Sequence, residues 1–278
     1  MRLRALLTAS PAPEALNAAT GSPADALVFS LAEVTGHAAR TAIRNILPRV
    51  REHTKAAIVV VNHPRTRLLS DDLEAIVCEH LSAVILPYAT GPQDVRDVAV
   101  GLRQFEHARG IEPGAIVIIP AIASARGLLR AAEIASAVPR VAGLLFDSAA
   151  YARDVGGREE DDGHRFAYAR GAVVAAAVAA GARPLVASPG FGLLQLAHAG
   201  FAGALLADTR AVAAALAAFT PPAHAVQRAR AVQAAYAAAR AEGGWVARLD
   251  GAVIDAHAAR AAARTLEQAG EPPGAPDS

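Results

Sequence analysis

The chain has 278 residues, 53% hydrophobic and 19% charged, so a sizeable buried core is available and disorder as the whole account is excluded. Aromatics reach only 4%, so that core must come mainly from Ala, Leu, Val and Ile. Twenty-seven basic residues against 26 acidic ones leave +1, a balance that argues against nucleic acid or an anionic membrane as the main partner.

The apolar stretch after Arg4 is cut by Pro11 and Pro13, so it does not read as a signal peptide, which needs a longer unbroken hydrophobic region. Residues 172–182 are rich in Ala and Val but too few to span a bilayer. A cytoplasmic, soluble protein is expected. Short apolar runs then recur along the chain: Ala5-Leu6-Leu7, Ala26-Leu27-Val28-Phe29, Ala57-Ile58-Val59-Val60-Val61, Ala83-Val84-Ile85-Leu86, Ala115-Ile116-Val117-Ile118-Ile119, Val141-Ala142-Gly143-Leu144-Leu145-Phe146, Pro184-Leu185-Val186-Ala187 and Gly203-Ala204-Leu205-Leu206. None alternates polar with apolar, which is the pattern of parallel strands covered on both faces. Between them lie helical patterns, starting near Ser70-Asp71-Asp72, at Gly91-Pro92-Gln93-Asp94 and over residues 126–137. Eight strand-then-helix units predict an α/β fold, a (β/α)8 TIM barrel over residues 1–220, in preference to a doubly wound open sheet.

Phe219-Thr220-Pro221-Pro222 stops the last unit. Residues 221–269 read as a C-terminal helical arm, with a helix over 223–241, an extended piece near 246–249 and a last helix over 255–268. An arm with its own apolar stripe is expected to pack on a neighbouring subunit. Residues 270–278, rich in Pro and Gly, are expected to be disordered, and 156–163 to form a charged surface loop. Cys78 is the single cysteine, so no internal disulfide and no cysteine-based zinc site is available. Lys55 is the single lysine, in a polar run that predicts a solvated side chain.

Several segments resemble the citrate lyase beta-subunit-like family of the HpcH/HpaI aldolase superfamily. Arg126-Gly127-Leu128-Leu129 with Glu133-Ile134-Ala135, then Pro139-Arg140-Val141-Ala142-Gly143-Leu144-Leu145-Phe146, is similar to the family's link between strands five and six. Leu249-Asp250-Gly251 with Ile254-Asp255-Ala256 is similar to its closing motif. The resemblance covers nearly the whole chain. It implies a barrel, usually trimeric or hexameric, and a Mg2+-dependent carbon–carbon lyase acting beside a carboxylate or a coenzyme A thioester.

The chain departs from that pattern where the chemistry sits. The family's metal-binding Glu falls on Ala123 and its metal-binding Asp on Ala150. Its carboxylate-binding Arg falls on Val60, its Lys after strand four on Tyr88, and its His-Pro after strand eight on Asp208-Thr209. An alanine cannot ligate a cation, and Mg2+ asks for oxygen donors. No cofactor is therefore expected, although Mg2+ serves the family. The expected function is that of a citrate lyase beta-like protein, non-catalytic or diverged, that binds a ligand or a partner. The ligand expected is a small carboxylate or a coenzyme A thioester; the partners are further copies of the chain, in a trimer or hexamer, or an intact paralogue. The alternative is a lyase with a relocated metal site or a metal-free mechanism.

The candidate site residues stand at strand ends, where barrels of this kind carry their chemistry. They are Asn62, Ser124, Arg126, Glu33, Asp147 and Asp208 for ligand binding. Asp255, matching a family position that works at a neighbour's site, is either catalytic or the anchor of the arm. Glu33, Asp147 and Asp208 either converge on a cation or cap the helices that follow them. His63 is either a general base or solvated, and Arg65 and Arg67 are candidates to replace the lost carboxylate clamp.

Overall fold

The computed structural model describes residues 1–32, 36–157, 166–187 and 192–271. Glu33, Ser188 and most of the expected charged loop and C-terminal tail therefore lie outside the described residues. The chain divides into two compact units, Leu3–Leu216 with Met1, and Ala217 onward with Arg2.

In the first unit the apolar runs become β1 (Ala5–Thr8), β2 (Ala26–Ser30), β3 (Ala56–Val60), β4 (Ala83–Leu86), β5 (Val117–Ile122), β6 (Gly143–Asp147), β7 (Arg183–Ala187) and β8 (Gly203–Leu206). They form a closed parallel barrel in sequence order, and β8 pairs back onto β1 with Ala5 beside Ala204. Because side chains alternate along a strand, Leu6, Val28, Ile58, Ile85, Leu145 and Leu185 pack together in one core cluster inside the ring. β5 and β6 begin two residues later than their apolar runs suggest. The helix expected over 126–137 is two short ones, Ala125–Leu129 and Ala131–Ala135, interrupted where Arg130 leaves helical space at φ −115°, ψ 15°.

Lys55 is not solvated. It is buried, and its ammonium donates to the Ser22 carbonyl at 2.6 Å and the Ala24 carbonyl at 2.9 Å. Burial pulls its pKa down and nearby Asp25 pulls it back, with a net fall. The carbonyl oxygens of the turn into β2 replace water around the charge, which the polar sequence context did not reveal.

The second unit holds the helix Ala223–Ala241, a hairpin of β9 (Ala247–Leu249) and β10 (Ala252–Ile254), and the helix Ala256–Ala269. Asp250 and Gly251 turn the hairpin with positive φ at both residues, the two-residue geometry that Asp-Gly favours. Val232, Tyr236, Ile254, Ala262 and Leu266 form its core. Among the described residues no helix is long and apolar enough to cross a membrane.

One buried ion pair ties the outer ring to the barrel. Glu106, fully buried, receives two hydrogen bonds from Arg140 at 2.8 and 3.2 Å and two more from the backbone N–H groups of Gly114 and Ile116. Glu106→Ala leaves the half-buried Arg140 charge without its partner, and the expected cost is about 3–5 kcal/mol. Urea unfolding checks this: the midpoint falls while the slope against denaturant holds.

Candidate functional site

The carboxyl ends of the strands form the barrel mouth. Ala121 pairs with Leu145 and Ile122 with Phe146, so the next step of that register sets Ala123 beside Asp147. Ala121 and Leu145 face the interior, and alternation gives Ala123 and Asp147 the same inward side. Ala123 and Ala150 are both buried, so each contributes a methyl group and no donor atom.

Asp147 stands at that place, and Asp154 also reaches it by accepting from Ala125 N at 2.8 Å. Asp147 Oδ1 accepts from the backbone N–H of Ala150 at 2.9 Å, which caps the helix Ser148–Asp154. Asp208 does the same service elsewhere: its carboxylate accepts from Arg210 N at 2.8 Å and pairs with the Arg210 guanidinium, and that pair holds its pKa down. Asp255 lies in the second unit, where it accepts from Ala258 N at 2.8 Å, a bond that lowers its pKa. Ser124 caps the helix Ala125–Leu129 through Gly127 N, while Arg126 is exposed and bonded to no described residue. Among the described residues no three of His, Cys, Asp and Glu stand close enough to hold a metal ion. Mg2+ is held through one or two carboxylates with waters and substrate oxygens, and the methyl groups of Ala123 and Ala150 supply no such donor.

Asn62 is placed by a buried polar network. Its side-chain amide donates to the Leu31 carbonyl at 2.8 Å and to Asp72 at 2.9 Å, and its own N–H donates to the same Asp72 oxygen at 2.7 Å. Asp72 is fully buried and takes a further bond from Arg40 at 2.7 Å. This network joins the end of β3 to the loop after β2 and to two outer helices. Asp72 and Arg40 are the residues that sequence reading missed here. Asp72 looks like an ordinary acid in the first turn of a helix, and only the fold brings Arg40 to it from 32 residues away.

His63 is not a solvated side chain. Its side chain is 13% exposed, Nδ1 accepts from Arg65 N at 3.2 Å, and the buried Nε2 faces Asp94 at 3.5 Å. Burial depresses its pKa, Asp94 opposes that and Arg65 reinforces it, and the result lies below the usual imidazole value. Arg65 is drawn to Thr90 and Asp94 at 3.3 and 3.4 Å, and Arg130 reaches the Thr90 carbonyl at 3.4 Å from beyond β5. Arg65 is therefore committed to this framework; Arg67 takes a left-handed φ of 63° at the end of the same turn. Tyr88 also has a left-handed φ, 51°, and stands half-exposed.

A depressed imidazole pKa has a definite sign. As pH falls below about 6.5, the unfolded chain takes up a proton that folded His63 resists, so stability is lost in the acid direction. The melting temperature is expected to fall between about pH 7 and pH 5.5, and His63→Gln is expected to reduce that slope. A slope identical in both proteins would show that His63 titrates normally.

The sequence matches the profile of the HpcH/HpaI aldolase/citrate lyase family over residues 5–188. It is similar to the citrate lyase subunit beta of Escherichia coli (strain K12), 31% identical over 246 residues, which is 84% of this chain and 82% of the relative. It is also similar to a (3S)-malyl-CoA thioesterase of Cereibacter sphaeroides, 30% identical over 152 residues, 53% of this chain and 49% of that protein. Among solved structures, the protein CitE of Mycobacterium tuberculosis, in complex with magnesium, acetoacetate and coenzyme A, superposes with a TM-score of 0.64 at 25% identity. The match covers 97% of this chain and all of that one. A citrate lyase of Burkholderia xenovorans superposes with a TM-score of 0.71 at 15% identity, covering 98% and 94%, and shows the fold alone.

Proposed function

The chain belongs to the HpcH/HpaI aldolase/citrate lyase family, and from that premise we propose that it has given up the metal-dependent lyase reaction and acts by binding. The observation that carries this reading is the pair of buried methyl groups at Ala123 and Ala150, where the family resemblance calls for carboxylates. An enolate formed on carbon–carbon cleavage needs a cation beside it, and two methyl groups cannot hold one. Asp147 stands next to both alanines but already serves the helix that starts at Ser148. Its second oxygen alone is a poor replacement for two carboxylates.

The ligand class follows from the relatives. One of them acts on a coenzyme A thioester by its name, and another was solved with acetoacetate and coenzyme A. A small carboxylate or a coenzyme A thioester is accordingly the ligand proposed for this mouth. The partners proposed are copies of the same chain in a trimer or hexamer, or an intact relative in a mixed assembly. The second unit supports an assembly role. Trp245, Val246 and Val253 are 71%, 57% and 58% exposed around its hairpin, an apolar surface suited to a neighbouring subunit.

Thermal melting with and without millimolar Mg2+ or Mn2+ tests the loss of metal. The wild-type melt is expected not to move. The double variant Ala123→Glu, Ala150→Asp restores the two carboxylates and is expected to gain a cation-dependent shift. A cation at 100 times its dissociation constant stabilises by about 2.7 kcal/mol. A comparable shift in the wild type would overturn the proposal.

A further inference from the structure

Away from the barrel mouth, the outer ring carries a separate concavity. It lies between the helix Pro92–Ala108 and the turns that lead into β5 and β6, and its volume is about 560 Å³. That falls within the range of small-molecule sites, roughly 300–1,000 Å³. Arg96, Val100 and Arg103 line it from the helix, and Pro113, Val138 and Pro139 from the turns.

The spacing of the three helical residues is i, i+4 and i+7, so they share one face. Seven residues advance about 10.5 Å along a helix, so the two arginines are rooted at the two ends of a stripe. Val100, 55% exposed, stands between them. Both arginines are exposed, and neither is bonded or ion-paired to a described residue. A third guanidinium in the lining, that of Arg140, is already neutralised by Glu106 at 2.8 Å. The groove thus offers two uncommitted cations with an apolar floor and walls between them. Its chemical complement is a molecule with a negative group at each end and a hydrocarbon or ring body in the middle.

We propose that this groove binds a small dianion whose carboxylate or phosphate groups flank an apolar body, one group to Arg96 and the other to Arg103. The volume suits a small molecule, and the separation of the charges suits an elongated one. The site is independent of the reading of the barrel mouth.

Isothermal titration of the full chain with suberate, succinate and octanoate tests it. Suberate carries both charges and a long spacer; succinate lacks the spacer and octanoate lacks one charge. Suberate is expected to bind best. Arg96→Gln and Arg103→Gln are each expected to weaken it about three- to tenfold, as a partly exposed ion pair should. Higher salt weakens it further, and Val100→Asp abolishes it by repulsion. All three substitutions fall on exposed positions, and a far-ultraviolet spectrum checks that each variant is folded. The proposal is overturned if octanoate binds as tightly as suberate, or if the double arginine variant binds suberate like the wild type. It is also overturned if a Glu-rich peptide binds while suberate does not, which would make the face a peptide-docking surface. A change of mass in light scattering of the double variant, with no heat from suberate in the wild type, would assign the groove to contacts between copies and overturn it too.

Discussion

Closure of the ring rests on a close approach of backbone to backbone. Gly203 opens β8 where a Cβ would stand 1.7 Å from the carbonyl oxygen of Leu3, so no other residue fits without displacing the chain. Ala204 N then donates to the Arg4 carbonyl, and Arg4 itself is fixed by three hydrogen bonds to Asp25 at the entry to β2. Burial pushes the Asp25 pKa up, but these bonds and the guanidinium charge more than reverse it. β3 to β7 complete the ring through their own parallel pairings. The side chains at the mouth follow from those pairings and not from any local preference.

Several described polar groups at the mouth hold the loops. Asp147, Ser124 and Asp208 each spend an oxygen on a backbone N–H just downstream. Unsatisfied donors at helix starts are costly, and a short polar side chain at the preceding position satisfies one. Asn62 is held more deeply, between Leu31 and Asp72, with Arg40 behind. His63, Asp94, Thr90, Arg65 and Arg130 form a second brace that links the turns after β3, β4 and β5. Such braces hold the turns around the mouth in place.

One solved structure of the same fold holds magnesium, acetoacetate and coenzyme A, whereas Ala123 and Ala150 here present methyl groups. Both alanines are buried. A methyl group fills space but carries none of the negative charge that makes a divalent ion worth dehydrating. Fold and chemistry are separable for this reason: the core answers to volume and hydrophobicity, the site to a few charges.

Much of this was legible in the residues alone. Eight apolar runs without alternation specify eight strands buried on both faces, because only a covered parallel sheet hides both sides of a strand. The helix over Ala223–Ala241 was readable from its flanking Pro and Gly residues. The extended piece near 246–249 became one strand of a hairpin; the second strand was not foreseen, although Asp250-Gly251 is a turn signal. What tertiary structure alone decided is the partner of each charge. Nothing near Lys55 in the chain announces the carbonyls of Ser22 and Ala24, and nothing near Asp72 announces Arg40. His63 likewise meets Asp94 only because neighbouring strands bring their turns together. Local sequence fixes periodicity and turn chemistry, which are short-range. The environment of an ionisable group depends on what the closed barrel sets against it from tens of residues away.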